Sequence, residues 1–104
     1  MNKVRRNKIE KLIKELEKIE TSFDSSILRG CISSLEDIKN DEEEAFDNMP
    51  EGLQYSSRGM DSEAAIENLD EALEYLEEID EIEDMEEIKT NISMAIDCLE
   101  DATV

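Results

Sequence analysis

Apolar side chains recur every three or four residues along most of the chain, which is the spacing of one face of an α-helix. The first run occupies positions 9, 12, 16, 19 and 23, and the second occupies 28, 31, 35 and 38 and continues through 45, 46 and 49. A third run extends from Ala65 to Ile79, and a fourth extends from Ile88 to Leu99. Because no stretch alternates with a period of two, the sequence predicts an all-α protein without strands.

The first two runs are separated by the sequence TSFDSS at residues 21–26. Thr21 or Ser22 is a candidate N-cap for a new helix, although a continuous helix with a register shift would also fit the pattern. We favour a break or kink at 21–25. Gly30 weakens the second helix, but it would also permit a close contact between helices.

Residues 49–60 lose the helical pattern and contain the proline and two of the three glycines, so we predict a loop there. Asp61 or Ser62 is then expected to cap the third helix. Within the loop, Leu53, Tyr55 and Met60 are expected to close the end of the bundle, with a role as a contact loop as the alternative.

A second break is predicted at 80–84, because Asp84 followed by Glu87 resembles a capping box. The apolar spacing also changes there, since steps of three from Ile79 to Ile88 drift around a helix and cannot keep one face buried. A fourth helix is expected to follow this turn.

We predict one acidic helical domain, residues 1–104, and two architectures would bury its four apolar runs. The first is an antiparallel helical bundle of three to four helices, and the second is a hairpin of two long kinked helices whose core a homodimer would complete. Cys31 and Cys98 occupy apolar positions of the pattern, and we expect them to be reduced core residues.

Charge is the strongest compositional feature, because 30 acids, 11 bases and no histidine give a net charge of −19. Residues 1–20 carry seven of the bases and four of the acids, whereas residues 21–104 carry four bases and 26 acids. The first helix could therefore lie against acidic neighbours or pair with a second copy. A chain of this charge is repelled by nucleic acid and by anionic membranes, so its expected partner is a basic protein surface.

Carboxylates fill the end of the second helical run and the predicted solvent side of the third, with no base between residues 59 and 88. Acids at i and i+4 recur about 6 Å apart along a helix, an interval comparable to that of phosphates on one DNA strand. The sequence therefore predicts a partner-binding face, with simple solvation of a bundle surface as the alternative. Its members are Asp41, Glu42, Glu43, Glu44, Asp47, Glu63, Glu67, Asp70, Glu71, Glu74, Glu77, Glu78 and Glu81.

Motifs for catalysis and for cofactor or metal binding are missing from the sequence. The chain has no histidine, and residues 37–41, DIKND, lack the glycine and the closing glutamate of a calcium loop. We predict no catalytic, cofactor-binding or metal-binding residues and no enzymatic activity. No apolar signal-peptide core or membrane-spanning stretch is present, so we expect a cytoplasmic location.

Three segments carry a resemblance to a known family: MNKVRRNKIEKLIKELEKIE, DEEEAFDNMPEGLQYSSRG and SEAAIENLDEALEYLEEI. They resemble a family of small acidic proteins carried by bacteriophages and integrated elements of Gram-positive bacteria. The similarity covers about residues 1–20 and 41–80, whereas residues 21–40 and the segment after 84 depart from it. The resemblance implies a phage product in a bacterial cytoplasm and carries over no functional residues.

Two hypotheses for function follow from charge and resemblance together. In the first, a phage-derived acidic protein inhibits a host nucleic-acid-binding or anti-phage defence protein through a DNA-mimic-like carboxylate surface. In the second, a homodimeric helical bundle is a structural or assembly module that scaffolds protein partners through its apolar stripe.

Overall fold

Four long helices dominate the computed structural model, which describes residues 1–103. They are α1, Lys3–Thr21, α2, Ser25–Asp47, α4, Ser57–Glu78, and α5, Met85–Ala102. A single helical turn, α3, Glu51–Gln54, lies between α2 and α4, and a 3-10 turn, Ile79–Glu81, follows α4. Within residues 1–103 there is no strand, so the prediction of an all-α protein is confirmed.

The four long helices form a ring in the order α1, α2, α4 and α5. The main contacts join α1 to α2 and α5, and join α4 to α2 and α5, so α1 and α4 lie on a diagonal. The connections between successive helices are short, as in an up-down bundle, and the Cα atoms span 47 × 20 × 19 Å. The molecule is therefore a four-helix bundle, the first of the two predicted architectures.

A break separates α1 from α2, as predicted, but its cap is not Thr21 or Ser22. Asp24 has an extended backbone, and its carboxylate accepts hydrogen bonds from the backbone N–H groups of Ser26 at 2.8 Å and Ile27 at 3.3 Å. These are donors that a helix N-terminus leaves without an intrahelical partner. The break therefore lies at the predicted place, and the acid supplies the cap.

The segment 49–60 is more helical than the predicted loop. It contains α3, and α4 begins at Ser57, so neither Asp61 nor Ser62 caps that helix. The side-chain amide of Gln54 donates hydrogen bonds to the backbone oxygens of Phe46 at 3.1 Å and Met49 at 3.3 Å. These bonds satisfy carbonyl groups at and just beyond the end of α2 and hold the turn against it.

The second predicted break is also confirmed. The 3-10 turn ends at Glu81, and Asp84 caps α5 by accepting a hydrogen bond from the N–H of Glu86 at 3.0 Å. Ile79, the first residue of the 3-10 turn, is buried, whereas Ile82, which directly follows the turn, is only half-buried. The drifting apolar spacing is therefore resolved by a turn between two helices.

One chain buries its own core. The α1 stripe is covered by neighbouring helices, with Ile9 and Leu16 each 0% exposed. The predicted homodimer is not required to complete this core, and oligomeric state stays a prediction. The buried apolar residues are Ile9, Leu12, Leu16, Ile19, Leu28, Cys31, Leu35, Ile38, Ala65, Leu69, Ala72, Leu73, Leu76, Ile79, Ile88, Ile92, Ala95, Ile96, Leu99 and Ala102.

Gly30 does not mediate the close helix contact that its position allowed. It is exposed, and a Cβ atom built on it would meet nothing within 4 Å. Gly59 has that role instead, because its Cβ would overlap the backbone of Gln54, whose Cα would lie only 2.6 Å away. The close approach therefore occurs where α3 meets the first turn of α4.

Candidate protein-interaction surface

The thirteen acids of the predicted face occupy different environments. Eleven of them are exposed, Glu43 is half-buried and Glu42 is buried. The exposed members lie on the last turns of α2, along α4 and in the 3-10 turn that follows it. The helical spacing therefore placed most of the set on the surface, as expected.

Glu42 does not belong to the surface, contrary to the prediction, because it is only 1% exposed. Its Oε2 accepts a hydrogen bond from the Ser62 hydroxyl at 3.2 Å and lies 3.6 Å from Nη2 of Arg5. Its Oε1 lies 3.6 Å from the amino nitrogen of Met1. Glu42 follows Leu35 and Ile38 at helical spacing, so it continues the buried stripe of α2 where apolar periodicity alone predicts an outward acid.

Lysines neutralise part of the surface where α2 meets α4 and α1. Lys39 lies 2.7 Å from Asp70 and 3.7 Å from Glu43. The hydrogen bond to Asp70 raises the pKa of Lys39. Lys8 lies 3.9 Å from Asp41, at the outer limit of an ion pair. The α2 side of the predicted face is therefore compensated in part, while Glu44 and Asp47 have no ion pair within residues 1–103.

The outward side of α4 carries carboxylates that have no ion pair among residues 1–103, and this set is called the acidic face below. The only ion pair of an α4 acid in the described chain is that of Asp70 with Lys39. The acidic face consists of Glu63, Glu67, Glu71, Glu74, Glu77, Glu78 and, in the following turn, Glu81.

The acidic face continues onto α5. Glu71 lies 3.7 Å from the Cys98 sulfur, and Glu78 accepts a hydrogen bond from the Asn91 amide at 3.4 Å. Asp101 and Asp97 of α5 are near enough to Cys98 to contribute to the shift of its pKa. Carboxylates of two adjacent helices therefore share one side of the bundle.

A small cleft of about 260 Å³ opens on this side, lined by Glu71, Glu74, Tyr75 and Glu78. Its three carboxylates are exposed, and no set of three acidic or cysteine side chains in residues 1–103 converges closely enough to hold a metal ion. The arrangement suits diffuse attraction of a basic surface better than coordination of one ion.

The side of the bundle formed by α1, diagonally across from α4, is basic. Lys3, Lys11 and Lys14 are exposed on α1 and have no ion pair in the described part of the chain, while Lys18 lies 3.1 Å from Glu15 of its own helix. Within residues 1–103, the expectation that α1 would neutralise its acidic neighbours is met only at the contacts of Arg5 and Lys8 with α2. The bundle consequently has a basic side and an acidic side.

The turn between α2 and α4 presents apolar side chains to solvent, contrary to the expectation that they close the end of the bundle. Leu53 is 42% exposed, Tyr55 is 78% exposed and Met60 is 64% exposed. Gln54, Gly59 and Ser62 fill the space at this end of the bundle. The alternative of a contact loop stays a prediction.

Both cysteines are free, Cys31 buried and Cys98 half-buried. Desolvation, and secondarily the charge of Glu15, raises the pKa of Cys31 to about 11. Desolvation, and then the charge and hydrogen bond of Glu71, raises the pKa of Cys98 to about 11. At neutral pH both thiols are therefore protonated and weakly nucleophilic.

We expect Cys31 to make folding stability depend on alkaline pH. A thiol pKa of 9.0 in the unfolded chain and about 11 in the bundle means that the folded state binds more protons between these values. The thiol's contribution to stability is therefore complete below pH 9 and is lost as pH rises toward 11. Urea unfolding of the wild type and of Cys31→Ala, compared at pH 8 and pH 10.5, measures the effect. An unchanged difference between the two proteins would contradict it.

Comparison with protein-family models, curated proteins and solved structures found no match. The resemblance to small acidic phage proteins therefore stays a prediction. Among residues 1–103, no helix combines the length and the apolar character needed to cross a bilayer.

Proposed function

We propose that this protein is a phage-derived inhibitor that occupies the nucleic-acid-binding surface of a basic host protein, such as an anti-phage defence protein, through its acidic face. The observation that carries the proposal is the row of carboxylates on α4, a stretch without lysine or arginine between Arg58 and Lys89, in which only Asp70 has an ion pair among residues 1–103. A bundle surface selected only for stability would mix both signs of charge.

The size and charge of the bundle support a comparison with duplex DNA. A duplex carries one charge per roughly 1.7 Å of axis, so a segment as long as the bundle's 47 Å carries about 28 charges. The chain carries a net charge of −19, about two thirds of that number. A protein channel that accepts a duplex of this length would thus meet the same sign of charge at a somewhat lower density.

The polarity of the bundle also supports one orientation of binding. Because α1 lies diagonally across from α4, its exposed lysines face away from a partner held against the acidic face. A basic partner attracts the acidic side and repels the lysine side, which favours encounters through α4.

The alternative function, a scaffold that docks partners on its apolar stripe, has less support. It needs side chains such as Leu12 and Ile19 at the surface, yet these are 4% and 1% exposed because the chain's own helices cover them. A scaffold would have to use another surface.

The test begins with capture of proteins from a bacterial host lysate on the immobilised bundle, followed by purification of the captured protein. We expect the bundle to displace a fluorescent DNA duplex from that protein competitively, and less effectively as salt rises. Failure to displace duplex from any captured nucleic-acid-binding protein would contradict the proposal.

A matched pair of charge-reversed variants separates the acidic face from net charge. Glu67→Lys with Glu74→Lys alters the acidic face, and Glu10→Lys with Glu17→Lys makes the same change in net charge at the same spacing on α1. We expect the first variant to weaken inhibition about 100-fold, from roughly 1.4 kcal/mol per reversed contact. The α1 variant should retain nearly full inhibition. Equal losses would show that net charge alone is responsible.

A further inference from the structure

Three large apolar side chains that are close in the sequence lie in solvent at one end of the bundle, and this group is called the apolar tip below. Leu53 of α3, Tyr55 directly after α3 and Met60 in the first turn of α4 are 42%, 78% and 64% exposed. A single exposed apolar residue is ordinary, whereas a group of them on a small protein marks a site of interaction. The apolar tip is therefore a candidate contact surface.

The backbone that carries the apolar tip is fixed against the bundle. The Gln54 side-chain amide donates hydrogen bonds to the backbone oxygens of Phe46 and Met49, and the glycine at position 59 lets the backbone of Gln54 approach the first turn of α4. Leu53 and Tyr55 stand on either side of Gln54 in the chain. Because this segment is already ordered, binding through it costs little further conformational entropy.

Met60 begins the row of carboxylates on α4. It precedes Glu78 by 18 residues, which is five turns of an α-helix, so the two side chains leave α4 in the same direction. Glu67, Glu71 and Glu74 depart from this direction by no more than about 40°, at 100° per residue, and all of these side chains are exposed. The apolar tip therefore stands at the N-terminal end of the acidic face.

The charges around the apolar tip are also predominantly negative. Residues 47–63 contain four acids and one base, a net charge of −3, and in residues 1–103 none of these five groups has an ion pair. The main contacts of α3 are with α4, and the lysines of α1 lie diagonally across the bundle. Charge complementarity therefore favours a basic surface over the tip, because a second copy of this acidic chain or an anionic membrane would be repelled.

We infer that the apolar tip is the anchor of the acidic face on its partner, a basic protein surface that presents apolar side chains beside its lysines and arginines. This role rests on the proposed function, since one partner covers both surfaces, and it adds the chemistry that the partner must offer. Tyrosine and methionine are enriched in protein interfaces. Salt screens the attraction of the carboxylates but not the burial of apolar surface, so the tip supplies the affinity that persists at high salt.

Two synthetic peptides of equal charge test the apolar tip on the full chain. Both consist of lysines around a short central run, which is leucine in one peptide and serine in the other. We expect both to shift backbone amide resonances of the acidic face, and only the leucine peptide to shift those of Leu53, Tyr55 and Met60. The leucine peptide should bind about tenfold more tightly, equivalent to about 1.4 kcal/mol, and should lose less affinity as salt rises.

Exposed methionines at the two ends of α4 provide a matched pair of variants. Met60→Ser should weaken binding of the leucine peptide several-fold and leave the serine peptide unchanged, and Tyr55→Ser should do the same. Met85→Ser replaces a methionine that is 47% exposed at the start of α5, beyond the other end of α4, and should leave both affinities unchanged. An equal loss in Met85→Ser would show general apolar adhesion and would overturn the role of the tip.

Several other results would overturn it. These are equal affinities of the two peptides for the wild type, and undiminished binding of the leucine peptide to Met60→Ser and Tyr55→Ser. Shifts of the tip resonances on raising protein concentration alone would assign the tip to a second copy, and shifts with phosphatidylcholine vesicles would assign it to a membrane.

The charge-reversed α4 variant separates this role from the proposed function. Glu67→Lys with Glu74→Lys should weaken binding of both peptides, whereas the tip variants should weaken only the leucine peptide. Losses confined to the tip variants would support the tip and contradict the acidic face, and losses confined to the charge-reversed variant would do the reverse.

Discussion

Replacing Glu42 by alanine is expected to lower the free energy of unfolding by about 3 kcal/mol, because removal of one partner from a buried charged pair leaves the other without compensation. The carboxylate is 1% exposed and lies near the charged groups of Met1 and Arg5, each at 3.6 Å, and near the Ser62 hydroxyl at 3.2 Å. Alanine would leave these three groups without their carboxylate partner and would create a cavity between α1, α2 and α4. Urea unfolding followed by circular dichroism measures the loss.

Two further variants separate burial of a charge from loss of an acid in general. Glu44→Ala changes an exposed acid two residues away and should alter stability by less than about 0.5 kcal/mol. Arg5→Met combined with Glu42→Leu removes both side-chain charges and fills the space but leaves the amino group of Met1 without its acid, so it should recover part of the loss. A Glu42→Ala protein as stable as Glu44→Ala would show that the buried pair contributes nothing to the bundle.

Gly59→Ala is expected to destabilise the bundle by about 2 kcal/mol, the middle of the range for an overpacked position. The added Cβ would overlap the backbone of Gln54, and a backbone contact cannot be relieved by rotating a side chain. Movement of Gln54 would also disturb its hydrogen bonds to Phe46 and Met49, and thereby the end of α2. Thermal and urea unfolding both measure the effect.

Gly30→Ala is the matched control, because it makes the same chemical change within a helix. With no atom within 4 Å of the new Cβ, alanine should stabilise the protein by about 1 kcal/mol through helix propensity alone. The two substitutions should therefore shift the urea midpoint in opposite directions. A shift of the same sign in both variants would contradict the close approach of α3 to α4.

The order of helices in the sequence was predictable because a buried helix face imposes a strong spacing on apolar residues. Breaks near 21–25 and 80–84 were also predictable, since capping side chains favour particular places to begin a helix. The cap of α2 was assigned to the wrong residue, because Thr21, Ser22 and Asp24 can all accept hydrogen bonds from backbone N–H groups. Only the backbone conformation at Asp24 distinguishes them.

The environment of individual acids was less predictable. Glu42 and Glu44 belong to the same acidic run, yet one is buried and the other is exposed. Positions 35, 38 and 42 share one helical face, and this spacing could have placed Glu42 inside the bundle. The sequence gives no indication, however, that Arg5 and Ser62 lie beside its carboxylate in the fold. Contacts between helices, such as that of Lys39 with Asp70, depend on the pairing of α2 with α4.

Amine-reactive cross-linkers will give a one-sided view of this molecule. The outward side of α4 offers no lysine, whereas α1 presents Lys3, Lys11 and Lys14, so such reagents will report mainly neighbours of α1, together with those of Lys89 on α5. Trypsin also has no cleavage site between Arg58 and Lys89. Mapping of a contact on α4 will require a reagent that activates carboxylates and a protease that cleaves after glutamate.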